Sequence, residues 1–384
     1  MVFICCSGGG LRAAMWSLRV LQVADSVTNG KLFKSAQLIC GASGGSIGSA
    51  YYRELYLRKL QKEKSGKNNV TGKNSSGFTS IYHDRYLDQI SRDLLNPVAL
   101  SIAVNDIFLS FRQFSDGKQS YKKDRAYEFE KQLNENTDHI LDKTLGDYQK
   151  PEADALIPML ILNPTIVNDG RLLYISSQPV SYLTGKEIGF QNNNRIVSGV
   201  EFSRFFEFQD ASETKFTSLL RMNATFPYVM PTVSLPCEPP LQVLDAGMRD
   251  NFGLQTTLKF LYTFRYWIAQ NTSGVLVVEI RDTHKEKQVD KKNNISLLSS
   301  LITPLENFYK NFDRIQDYNQ DELSQYASSW YPGKIEFVLF QLPKEKRQVS
   351  LSWHLTTREK QSIYNAIENG ENQETLFRVK DTME

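Results

Sequence analysis

Four cysteines and four histidines are all that the 384 residues contain, and neither set is grouped. Cys5, Cys6, Cys40 and Cys237 show no CxxC spacing, so a zinc ribbon or a thioredoxin-like pair is not expected. Cys5, Cys6 and Cys40 fall in apolar, strand-like runs and read as buried reduced thiols, which suits a reducing compartment. His83, His139, His284 and His354 form no metal-binding cluster, so no metal site and no cofactor are expected. No apolar window reaches the roughly 18 residues that span a bilayer. The N-terminus lacks the basic region and apolar core of a signal peptide. These absences point to the cytoplasm or the periphery of a membrane. The net charge is only +2, and no nucleic-acid-binding motif is present, so nucleic acid is not an expected partner. The single glycine run is neither GxGxxG nor followed by GK[ST], which disfavours nucleotide binding. There is no internal repeat.

What remains is a globular composition, 41% hydrophobic and 23% charged, long enough to bury a large core. Val2–Cys6 is a short continuous apolar run, as in a buried parallel strand. A fold that starts on its first residues suggests that a segment preceding Met1 is absent from this chain. Leu38–Cys40 reads as a second strand, followed by a helix from about Ser46 to Leu60. Residues 53–73 carry seven basic against two acidic side chains, and 62–78 reads as a mobile basic insertion facing water. Its charge would also attract anionic lipid headgroups.

Residues 84–145 read as a helical segment: Asp84–Leu95, an apolar Val98–Phe114 and a charged Lys118–Asn136. Ala155–Asn168 and Arg171–Ser177 read as two strands around a turn at Asn168–Gly170. Residues 185–200 are a polar loop, and Ser218–Ala224 is a short helix. Tyr228–Pro240 is proline-rich and irregular. Leu241–Gly247, Gly274–Ile280 and Ile335–Leu342 read as strands, with helices over Leu254–Gln270 and Ile295–Trp330. A last helix, Thr356–Asn369, is capped by Thr357 and stopped by Gly370. Strands alternating with helices predict one α/β domain over residues 1–384, three layers deep, with a mostly parallel central sheet flanked by helices.

Two loops carry candidate chemistry. Ser7-Gly8-Gly9-Gly10-Leu11-Arg12 joins a strand to a helix, and its bare backbone N–H groups can cradle an anion. Gly41-Ala42-Ser43-Gly44-Gly45 fits G-x-S-x-G, which sets a serine on a sharp strand-to-helix turn. The competing reading is an ordinary turn whose Ser46 caps a helix. A nucleophilic serine needs a base. The late histidines, His284 and His354, lie in contexts that do not suggest a triad. Asp245 sits at the end of an apolar strand before Ala246-Gly247, where ligand sites of α/β sheets form; a turn aspartate is the alternative.

Gly8-Gly9-Gly10-Leu11-Arg12, Gly41-Ala42-Ser43-Gly44-Gly45 and Asp245-Ala246-Gly247, in this order, resemble the three signatures of the patatin-like phospholipases. Asn223-Ala224-Thr225-Phe226-Pro227, followed by Pro231, resembles the small-residue and proline segment that precedes the family's aspartate. The resemblance covers roughly residues 2–260. Ala246 departs from the family's usual Gly, and Gly44 from a frequent Thr. The resemblance implies a patatin-like fold and a Ser-Asp dyad without histidine or calcium. Ser43 would attack an acyl carbonyl and Asp245 would take its proton. The loop Gly8, Gly9, Gly10, Leu11 and Arg12, with Gly44, would form the oxyanion hole, Arg12 stiffening the loop or adding positive charge. An acyl-serine intermediate would then be hydrolysed.

Phe226, Tyr228, Val229 and Met230 would accept acyl chains or simply pack the core. The implied activity is that of a lipid acyl hydrolase, whether phospholipase, lysophospholipase or carboxylesterase, acting on a lipid or other acyl ester at or near a membrane. An acyltransferase using the same dyad and a catalytically silent lipid-binding regulatory domain are the alternatives.

Overall fold

The computed structural model describes residues 1–65, 80–94, 113–116, 119–122, 125–185, 197–225, 232–235, 241–285, 299–344 and 349–384, with 113–127 and 299–314 described by their backbone alone. Strand β1 (Val2–Cys6) leads through the glycine loop into helix α1 (Gly10–Val27), and β2 (Ala36–Gly41) leads directly into α2 (Ser43–Lys64). After helix α3 (Arg85–Ile90) come a hairpin of β3 (Gln113–Asp116) and β4 (Gln119–Lys122), and then helix α4 (Arg125–Asn136). The short strands β5 (Met159–Ile161), β6 (Thr165–Ile166), β7 (Leu172–Tyr174) and β8 (Gly199–Glu201) precede helix α5 (Phe216–Asn223). Next are β9 (Val233–Leu235), β10 (Leu241–Leu244), α6 (Leu254–Asn271) and β11 (Val275–Arg281). The chain closes with α7 (Ser299–Trp330), β12 (Ile335–Gln341), α8 (Thr357–Asn365) and α9 (Gly370–Met383).

The central sheet has the order β12-β11-β1-β2-β5 and is parallel throughout. Alternation along β1 divides the interior. Val2, Ile4 and Cys6 face one apolar cluster, with α1, α2, α8 and α9, whereas Phe3 and Cys5 face another, with α6 and the end of α7. Side chains alternate across a strand, so a strand apolar at every position must be covered on both faces. That is the three-layer α/β arrangement expected from the sequence. Cys5, Cys6 and Cys40 are free and buried, and burial pushes their thiols up in pKa, which keeps them unreactive.

A second five-stranded sheet, β8-β7-β6-β10-β9, departs from the single central sheet expected from the sequence. The Ala155–Asn168 run splits between the two sheets: β5 pairs with β2, and β6 turns away to pair with β7 and β10. The break falls at Asn163-Pro164. Pro164 has no N–H for a ladder, and the Asn163 side chain bonds Asp250 and Thr256 instead, at 2.9 and 2.8 Å. The strand before Asp245 therefore belongs to this mixed sheet, antiparallel to both of its neighbours.

Several helix ends differ from the expectation drawn from the sequence. Helix α2 begins at Ser43 rather than Ser46, and Ser46 does not cap it. The cap of α8 is Thr356 rather than Thr357, and its hydroxyl and Glu359 form a capping box. Gly370 opens α9 instead of ending the preceding helix, because Asn369 caps the new helix through the Glu371 N–H. Within Lys118–Asn136, Arg125–Asn136 is helical, whereas Gln119–Lys122 is a strand of a hairpin. Most of the basic insertion at 62–78, most of Val98–Phe114, most of the loop at 185–200, Cys237 and the segment Phe226–Pro231 lie outside the described residues. Among the described residues no helix is long and apolar enough to cross a membrane.

Candidate active site

β1 and β2 are adjacent and parallel, so the loops at their C-terminal ends lie side by side. Ser43 opens α2 directly after β2 and Ala42, with a φ of +47°. A non-glycine residue held there is strained by about 1–2 kcal/mol. The turn is over-determined by its surroundings. Ala42 N–H donates to the Cys6 carbonyl at 3.0 Å, and the Ser46 hydroxyl donates to the Ser43 carbonyl at 2.6 Å. Ser46 thus braces the elbow from inside the helix.

The glycine loop lies against this elbow. Gly9 and Gly10 have φ values of +145° and +61°, conformations that glycine adopts readily. A Cβ on Gly44 would fall inside the carbonyl oxygen of Gly10, so this chain has no room for the family's frequent threonine. Of the loop N–H groups, that of Gly8 donates to the Asn251 carbonyl at 2.9 Å and that of Leu11 to the Ser352 carbonyl at 2.9 Å. The N–H groups of Gly9, Gly10 and Gly44 have no partner among the described residues. Gly10 and Gly44 also sit at the N-terminal ends of α1 and α2, where backbone dipoles favour negative charge. Arg12 turns its guanidinium away to Asp282, with Nε to Oδ2 at 2.9 Å, and to the Val349 carbonyl at 2.8 Å. It ties the loop down; its charge is neutralised by Asp282.

Asp245 follows β10 and is held by its own backbone N–H, which donates to the Thr225 carbonyl at 2.9 Å. Its carboxyl is buried. Oδ1 accepts the Gly247 N–H at 2.7 Å, whereas Oδ2 accepts no hydrogen bond of ordinary geometry among the described residues. Burial pushes this carboxyl up to about 6, partly countered by the neighbouring Ser43 hydroxyl and the Gly247 N–H. A buried, incompletely solvated carboxylate is more basic than an exposed one. Ala246 sits at φ −59°, right-handed backbone where alanine fits as well as glycine.

The fold thus brings Ser43, Asp245, Gly9, Gly10 and Gly44 to one place, although the loops come from different parts of the chain. Neither late histidine joins them. The His284 ring faces Glu371 at 3.5 Å, and that of His354 faces Asp93 at 3.1 Å. Sequence reasoning missed the residues that hold the loops together. Asn223 is fully buried and donates to the Gly41 carbonyl at 2.9 Å and to the Ser46 hydroxyl at 3.0 Å. Its own carbonyls accept the N–H groups of Asn163 and Ala246, at 2.9 and 3.3 Å. Asn251 binds the Gly8 N–H through its side chain as well, at 3.2 Å, and Gln316 bridges Asn251 to the Gly247 carbonyl. Asp282 had a legible signal, an acid at the end of a buried strand, as at Asp245. Asn251 and Gln316 had none.

The Patatin-like phospholipase family model matches residues 4–258. No curated protein sequence matches the chain. Among solved structures, the crystal structure of VipD from Legionella pneumophila aligns with a TM-score of 0.39 and 10% identity, covering 100% of this chain and 66% of that one. The chain therefore spans just under two thirds of the length of that relative.

Proposed function

Since this chain belongs to the patatin-like phospholipase family, we propose that it hydrolyses a lipid carboxylic ester, with Ser43 as nucleophile and Asp245 as its base. The observation that carries this reading is the pairing of a strained, helix-initiating serine with a buried aspartate whose Oδ2 has no other partner among the described residues. A carboxyl with a pKa of about 6 is largely ionised at neutral pH and is a better proton acceptor than an ordinary aspartate near 3.9.

In the acylation step Oδ2 takes the Ser43 proton as Oγ attacks the acyl carbonyl. The carbonyl oxygen gains the negative charge and is held by the N–H groups of Gly9, Gly10 and Gly44. Asp245 then returns the proton to the leaving alcohol. In deacylation Asp245 takes a proton from water, the resulting hydroxide attacks the acyl-Ser43 carbonyl, and Ser43 recovers the proton as the fatty acid leaves. Fixed N–H donors aimed at the developing charge need no reorganisation during reaction, which is why they lower the barrier.

Treatment of the whole chain with a fluorophosphonate probe, followed by peptide mapping, tests the nucleophile. A panel of phospholipids, lysophospholipids and neutral esters, read by mass spectrometry for wild type and Ser43→Ala, tests the reaction. Labelling of Ser43 together with fatty acid release by wild type alone is expected. Fatty acid release that persists undiminished in Ser43→Ala would overturn the assignment.

A further inference from the structure

We propose that Asp282 is a positioning residue that holds the anion-binding loop by clasping both of its ends. This rests on the serine hydrolase reading above and concerns how that site is kept in shape. Asp282 follows β11 and is 5% exposed. Its Oδ1 accepts the Ser7 hydroxyl at 2.9 Å, and its backbone N–H donates to the same hydroxyl oxygen at 2.8 Å. Its Oδ2 accepts Arg12 Nε at 2.9 Å and Arg12 Nη2. Ser7 immediately precedes the three glycines, and Arg12 follows them by two residues. One carboxylate therefore grips the loop on both sides.

The need for such a clasp follows from the loop itself. Three glycines in succession are the backbone least able to hold one conformation unaided. Two of them, Gly9 and Gly10, carry N–H groups with no partner among the described residues, so no hydrogen bond among those residues fixes their direction. The close approach of Asp282 is also selective. A Cβ on Gly9 would fall within the Asp282 carboxylate, so the loop passes directly over it. An isolated carboxylate this near an oxyanion would oppose it. The ion pair with Arg12 removes that opposition, and Arg12 is itself fixed by the Val349 carbonyl at 2.8 Å. The pair serves geometry while keeping the local field close to neutral.

A residue that only supports the fold would change stability without discriminating between ground and transition states. A positioning residue changes binding of the tetrahedral species and leaves binding of the ester alone. The test uses the full chain as wild type, Asp282→Asn and Ser7→Ala. A soluble short-chain p-nitrophenyl ester gives kcat and KM. A trifluoromethyl ketone of matching length, which forms a tetrahedral adduct with serine, gives an inhibition constant. Asp282→Asn should lower kcat about 10- to 100-fold, the scale of an ångström-level displacement in a reacting site. KM should stay within about two-fold, and the ketone should weaken by the same factor as kcat.

Ser7→Ala should show the same pattern at smaller size. It also carries the test if Asp282→Asn does not fold. Unchanged kcat, or a rise in KM alone, in the folded variants overturns the clasp. A wild-type chain that neither turns over esters nor labels at Ser43 overturns the hydrolase reading and the clasp with it. An active wild type with an equally active Asp282→Asn overturns the clasp alone.

Discussion

Gly44 packs against Gly10 so closely that any Cβ on Gly44 would overlap the Gly10 carbonyl oxygen. The two glycines belong to different motifs, and this contact sets the spacing between the serine elbow and the anion-binding loop. Gly44→Ala should therefore push the loops apart. Overpacking of this kind costs about 1–3 kcal/mol, and activity should fall more steeply than stability. Gly370→Ala is the control: nothing lies within 4 Å of its Cβ position, and it should be neutral or stabilising by up to about 1 kcal/mol. Parallel thermal melts and ester assays check the pair.

The raised pKa of Asp245 predicts the pH profile. The base must be ionised, so kcat/KM for a substrate without titratable groups should rise with pH through about 6 and level off above it. A profile flat from pH 5 to 8 would count against Asp245 as the base.

The same shift predicts a stability effect of opposite benefit. In the folded state Asp245 keeps its proton up to about 6, whereas the unfolded chain releases it near 3.8. Between those values the native state binds more protons, so this group's contribution to stability falls as pH rises. Asp245→Asn, neutral at every pH, should abolish hydrolysis yet raise stability at pH 7 by roughly 1–3 kcal/mol. Denaturant melts at pH 4 and pH 7 should show the gain mainly at the higher pH.

Asn223→Ala should damage both fold and function. It leaves the buried Gly41 carbonyl, Ser46 hydroxyl and Asn163 N–H without their side-chain partner. Unsatisfied buried groups of this kind make a loss of roughly 3 kcal/mol the expected result. Because Asn223 links the turn of Ser43 to that of Asp245, kcat should fall even under conditions where the variant is fully folded. Circular dichroism alongside steady-state kinetics separates the two effects.

His284→Ala and His354→Ala should retain activity within about three-fold of wild type, since neither imidazole meets the reacting groups. A loss of about a hundredfold or more in either would restore a histidine base to the mechanism.

Much of this was legible along the chain. Val2–Cys6 and Gly274–Ile280 could only be doubly covered strands, because they are apolar at consecutive positions. The serine elbow, the glycine loop and the Asp-Ala-Gly turn each had a local spelling. Other features were hidden because their causes are not local. Nothing before Pro164 announced that β5 and β6 would part into two sheets. Whether Ser46 capped a helix or braced one depended on where the helix began. A glycine such as Gly370 stops one helix or opens another according to what caps the next turn.

The strand–loop–helix units, the family and the residue types at the three loops can be read along the chain, since they follow from hydrophobic pattern and from glycine's freedom. Folding sets which loop N–H groups lack a partner among the described residues, buries Asp245 with one oxygen unpaired among them, and binds Asp282, Asn223 and Asn251 to the loops. Those properties depend on burial and on hydrogen bonds between residues as far apart as Ser7 and Asp282, and such contacts exist only once the chain has folded.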